Sequence, residues 1–173
     1  MTLSRAKDGG ESGPSGISAA ARVRASGEDF SASFEELRQA VTGACEGHDE
    51  WEAKVVAGIQ AIVGFAAASP AKARALSIEA RRPDSEGHVR AHEVIDYFVG
   101  RLSELAPGER RIGISTDQGI VESIALIVRG HLHSDTAALL PDAAPDLVYL
   151  ALLPYLGTVE TRGWAKALAL PRP

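Results

Sequence analysis

Residues 144–157 read Ala-Pro-Asp-Leu-Val-Tyr-Leu-Ala-Leu-Leu-Pro-Tyr-Leu-Gly. Pro145 suits the first turn of a helix, where its missing N–H costs nothing and its fixed φ is already helical. Leu147, Val148, Tyr149, Leu150, Leu152 and Leu153 follow as a strong apolar run, and Pro154 should kink or end it. The segment upstream is of the same kind. A cap at Thr116 or Asp117 opens a helix carrying Ile120, Ile124, Ile127, Val128 and Leu132, which is apolar nearly all round. A helix with no polar face is a buried one, as at a subunit interface.

The same punctuation recurs toward the N-terminus. Ala106-Pro107-Gly108 breaks a helix running from about 85 to 105, with Val94, Ile95, Phe98, Leu102 and Leu105 as its core stripe. Ile112 and Ile114 flank Gly113 as a short extended piece, too isolated to build a sheet. Ser69-Pro70 stops one helix and starts another, which carries Leu76 and Ile78 and ends at Arg81-Arg82-Pro83. Before it, Asp49 caps a helix presenting Trp51, Val55, Ile59, Ile62 and Ala66, with Val56, Val63 and Phe65 beside them. Ser33-Phe34-Glu35-Glu36 reads as a capping box for a helix with Phe34, Leu37 and Val41 that frays near Gly43. Gly27 interrupts a short Ala-rich helical run at 17–23. Residues 1–16 hold Gly, Ser, Pro, Asp and Lys with almost no large apolar side chain, so burial cannot offset their ordering entropy and disorder is expected. The expected fold class is all-α, with helices joined by short loops.

Composition excludes several classes. Of 173 residues, 45% are hydrophobic, enough for a packed core, and aromatics at 5% favour close helix packing over a sheet. A formal net charge of −5 argues against non-specific nucleic-acid binding by the whole chain. Cys45 is the single cysteine, so there is no disulfide framework or thiolate cluster, and a reducing, cytoplasmic location fits. Arg5 and Lys7 precede no apolar run, so no secretory signal is expected. No stretch approaches about 18 consecutive apolar residues, so no membrane partner is expected.

Chemistry-bearing residues are sparse. Ser15, Ser33, Ser69 and Ser115 sit in no nucleophile elbow, and there is no glycine-rich phosphate loop. The chain is expected not to be an enzyme and to need no cofactor. His88 and His92 share a helix face beside Glu93, either as two metal ligands lacking a third or as a solvated pair, and the expectation is no metal. His131 and His133 near a helix C-terminus are explained by the dipole, with proton sensing as the functional alternative. Cys45 lies near Glu46, an environment that does not lower a thiol pKa, and reads as inert. Glu79, Tyr97, Glu122, Ser123 and Arg129 are polar groups within apolar helices. They either line a ligand cavity or give polarity to a surface or interface. Glu79, Tyr97 and Arg129 are taken as cavity candidates, with Ile62, Phe65 and Phe98 as apolar walls.

The segment 144–157 resembles the last helix of TetR-family transcriptional regulators, and Trp51 to Arg82 is similar to the opening of that family's ligand domain. Together the resemblance covers about residues 34 to 157. It implies a TetR-like ligand-binding and dimerisation domain over 34–173, with helices at 116–134 and 144–156 pairing with their symmetry mates. Ile124, Val128, Leu147 and Leu150 would then form the interface of a homodimer that responds to a small apolar effector. Residues 17–33 would be a degenerate remnant of the helix-turn-helix, with Arg22 and Arg24 left to meet DNA. Residues 1–33 set Arg5, Lys7, Arg22 and Arg24 against Asp8, Glu11, Glu28 and Asp29, so no net positive charge faces phosphate. That balance argues against tight DNA binding by this chain alone. The expected function is therefore a TetR-like regulator whose effector controls DNA binding. The alternative is a stand-alone helical protein that binds a ligand or heterodimerises without touching DNA.

Overall fold

The computed structural model describes residues 19–78 and 86–169, with side chains over 29–77 and 92–168. Among them there are six α-helices and no strand, so the all-α expectation holds. The helices are α1 (Ala19–Glu46), α2 (Trp51–Ala68), α3 (Pro70–Ile78), α4 (Glu86–Leu105), α5 (Ile114–His133) and α6 (Ala144–Ala169), with 3-10 turns at Gly108–Arg110 and Ala137–Ala143. The segment 1–16, expected to be disordered, and the stop at Arg81-Arg82-Pro83 lie outside the described residues.

The longest helix departs most from the sequence reading. Neither Gly27 nor Ser33 interrupts α1, and it does not fray at Gly43. Phe30, Phe34, Leu37, Val41 and Cys45 fall at helical spacing and are all buried. That continuous stripe outweighs the roughly 1 kcal/mol a helical glycine costs. Ser33 is therefore not a cap. Its hydroxyl bonds back to the Asp29 carbonyl at 2.7 Å, as serines inside helices do. Glu36 pairs instead with Lys72 of α3. The Asp49 cap is also absent: Glu50 occupies the N-cap of α2, without a side-chain bond.

By length and composition alone, α2 and the stretch Ala137–Leu168 are apolar enough to cross a membrane. In this fold α2 packs between α1, α3 and α6, with Trp51, Val55, Ile59, Val63 and Ala66 buried. Two apolar clusters result. One joins α2 to α6, α5 and the 137–143 turn through Val63, Leu132, Leu140, Leu147, Val148 and Leu152. The other joins α1 and α3 to α4 through Phe34, Leu37, Leu76 and Phe98. Phe65 touches both.

Helix α5 begins at Ile114 with Gly113 as N-cap, so neither Thr116 nor Asp117 caps it. Asp117 is instead 2% exposed and accepts a hydrogen bond from the Tyr155 hydroxyl of α6. Tyr155 also stacks edge-on against Trp51, with ring centroids 4.8 Å apart. This cluster fixes the start of α5 to α2 and α6. Burial, then the Asp117 contact, push the Tyr155 phenol well above its ordinary value of 10.0. With the folded value raised, the stability it contributes is complete below pH 10 and lost as pH rises further. Tyr155→Phe should cost about 1–3 kcal/mol by leaving Asp117 buried and unpartnered. Alkaline absorbance titration of the parent should show one tyrosine ionising only on unfolding, and that phase should vanish in the variant.

The far ends of α5 and α6 are also set by identifiable groups. Arg74 of α3 donates to the Leu132 carbonyl at 3.1 and 2.9 Å and pairs with Asp135, a guanidinium placed on the negative end of the α5 dipole. The helix passes through Pro154, and its break comes at Gly157, whose φ of 71° only glycine adopts without strain. Beyond it the expected fraying tail is helix, with Trp164 and Leu168 packed against the first cluster. Arg110 bridges Glu52 at 2.9 Å and Glu160 at 3.3 Å, holding that second half of α6 near the start of α2.

Candidate ligand cavity

The two clusters do not close on one another, and the seam between them is a cavity of about 520 Å³. Its floor is α2, through Val55, Ile59, Ile62, Phe65 and Ala66. Leu37 and Val41 of α1, Leu76 of α3 and Ala151 of α6 close it from the sides. The stripe on α4 expected to be core (Val94, Ile95, Phe98, Leu102 and Leu105) is half-buried and forms one wall. Ile124, Ala125 and Val128 of α5 form another. His92 on α4 and Glu122 and Leu126 on α5 are the exposed lining residues, which puts the mouth between these two helices.

The cavity wall is apolar but not uniformly so. Lys54 and Arg101 reach it from α2 and α4, and Arg129 reaches it from α5; all are half-buried. None of them forms an ion pair with a described residue. Cys45 is buried beside Lys54, its Sγ 3.4 Å from the Lys54 carbonyl. Desolvation raises its thiol pKa, and the charges of Arg101 and Lys54 oppose that rise without overcoming it. A thiol in this setting is protonated and unreactive, in agreement with the sequence reading.

Four of the expected pocket residues meet in this cavity: Ile62, Phe65, Phe98 and Arg129. Tyr97 does not. Its ring lies 5.7 Å from Phe34 and 5.1 Å from Phe98, with the Arg38 guanidinium 4.8 Å above it, so it seals α1 to α4 behind the wall. Glu79 lies outside the described residues, as does the side chain of His88. Of the polar alternates, Glu122 stands at the mouth and hydrogen-bonds Gln118, while Ser123 bonds back to the Gly119 carbonyl at 2.6 Å. Lys54 and Arg101 were missed. Arg101 follows Phe98 by one helical turn and precedes Leu105 by another, so its spacing alone put it on the cavity face.

The expected interface residues divide differently. Leu147 is 1% exposed inside this chain's own core, so it has no surface left for a partner, which corrects that assignment. Ile124 and Val128 line the cavity, and Leu150 is half-buried. The exposed large apolar side chains of α5 are Ile114 at its first turn, 65% exposed, Leu126 at the cavity mouth, 61% exposed, and Ile127, 38% exposed. Arg22 and Arg24 fall in the first turns of α1, and their side chains lie outside those described. His131 contacts Thr136 Oγ1 at 3.0 Å through Nδ1, and His133 is exposed.

No family model, curated protein or solved structure matches this chain. Among the described residues the chain is an all-α helical bundle, with no family identified.

Proposed function

We propose that this chain is the ligand-sensing, dimerising body of a TetR-like regulator. It takes a small molecule with a large apolar surface between α1, α2, α4 and α5. The observation that carries the reading is the cavity. Its volume falls within the roughly 300–1,000 Å³ usual for small-molecule sites, and its wall is apolar with a few polar groups. Filling the seam joins the two clusters, so the ligand favours whichever arrangement of α4 and α5 fits it best. Because α5 carries both the cavity wall and the outward residues Leu126 and Ile127, that preference passes to a homodimer built on α5 and α6. In a regulator the spacing of two DNA readers would follow.

A second reading is a helical ligand-binding protein that does not touch DNA. It is favoured by α1, which continues without a turn from Ala19 to Glu46, across the segment read as a helix-turn-helix remnant. Fluorescence anisotropy against DNA from upstream of the gene, at physiological salt, separates the two. Saturable binding that random duplex cannot displace supports the regulator; a folded dimer that never binds supports the stand-alone protein. Replacing Leu126 and Ile127 together with Asp should weaken the dimer by at least about 100-fold, because charge is excluded from an interface core. Sedimentation should then report a folded monomer. An unchanged dimer would remove α5 from the interface.

A further inference from the structure

The polar groups of the cavity are unbalanced in sign. Lys54, Arg101 and Arg129 line it, against Glu122 as the one carboxylate among the described lining residues, and Glu122 is exposed at the mouth. Lys54 and Arg101 come from different helices and line the same cavity as Cys45, whose Sγ is 3.4 Å from the Lys54 carbonyl. Neither is paired with a described acid, and each projects beside an apolar wall. A half-buried cation without a counter-charge is poorly solvated, and a bound anion would restore what it lacks.

Resting on the ligand-sensing reading above, we infer that the ligand is an amphiphilic carboxylate. Its head group sits between Lys54 and Arg101 beside Cys45. Its aliphatic body lies along Ile59, Ile62, Phe98 and Ile124. Arg101 offers a planar fork that matches a carboxylate with two parallel bonds, and Lys54 adds a point charge. The predominance of apolar side chains and the scarcity of hydrogen-bonding groups among the lining residues select an alkyl chain over a sugar or nucleotide.

The test compares dansyl-undecanoic acid with its methyl ester, the same body without the charge, by fluorescence titration of the full chain. The acid should bind about 10- to 100-fold more tightly than the ester, the ratio expected of hydrogen bonds to a charged group. Arg101→Gln and Lys54→Gln should each reduce that preference by weakening acid binding, and unchanged far-UV circular dichroism should report that the variants are folded. Arg129→Gln should preserve it. Equal affinity for acid and ester would overturn the carboxylate assignment and leave the apolar cavity reading intact. Loss of the preference only in Arg129→Gln would overturn the placement of the head group. Binding of neither probe would overturn this inference and the ligand-sensing reading together.

Discussion

Leu147→Asp is expected to unfold this chain rather than separate two copies of it. Leu147 is 1% exposed, and its neighbours Val148, Ala151 and Leu152 are buried as completely. Removing the leucyl side chain forfeits about 1.5–3 kcal/mol of burial. Placing a carboxylate there without a partner costs several kcal/mol more, or forces it to take up a proton. The sum, about 5 kcal/mol or more, matches the lower end of the 5–15 kcal/mol that holds a domain of this kind together. Far-UV circular dichroism and urea titration should find the variant unfolded, or with its midpoint near zero denaturant. A folded monomer would mean instead that Leu147 meets a partner and that its burial in this chain is wrong.

Ala125→Trp should have the opposite effect on stability and a larger one on binding. Ala125 is half-buried on the α5 wall and faces the space between the clusters. An indole there occupies the space a ligand would need and gives Phe98 and Ile62 a packing partner. Filling an apolar cavity commonly adds about 1 kcal/mol, so the melting temperature should rise by several degrees. Affinity for the neutral probe N-phenyl-naphthylamine should fall on the order of 100-fold, since overpacked ligand and wall cannot both be accommodated. A variant that is more stable and still binds would place the probe elsewhere.

The helices were legible because their punctuation is strong. Ser69-Pro70, Ala106-Pro107-Gly108 and Pro145 each fall at or beside an observed boundary. The errors lie where local signals compete with tertiary burial. Ser33 to Glu36 has the pattern of a capping box, yet Phe30 completes a stripe with Phe34 and Leu37 that only the packed α1–α2 pair reveals. Asp117 has the pattern of a cap and is a buried acceptor for Tyr155, a residue 38 positions away. No local window contains that pair. Pro154 looks like the break in α6, but the positive φ falls to Gly157.

The cavity was half legible for a related reason. An apolar stripe gives the same periodicity whether it fills a core or walls a space, so Val94, Ile95, Phe98, Leu102 and Leu105 read as core. Only the three-dimensional separation of the two clusters distinguishes the cases. Tyr97 was drawn into the pocket by its polarity, although its hydroxyl-bearing ring is one position around the helix from the wall and packs on Phe34. Arg101 was overlooked because a charge within an apolar stripe looks like an exception to it. Leu147 was placed at an interface by the family resemblance, whereas its burial in this chain comes from its own core, in which α6 packs against α2.

The most direct test of the cavity is a methyl NMR titration of the isoleucine-labelled chain with N-phenyl-naphthylamine. Ile59, Ile62, Ile95, Ile120 and Ile124 line the cavity, whereas Ile114 and Ile127 are exposed outside it. Saturable shifts are predicted at the first group, with the second group unmoved. Shifts confined to Ile114 and Ile127, or none at any isoleucine, would contradict a ligand-binding cavity in this bundle.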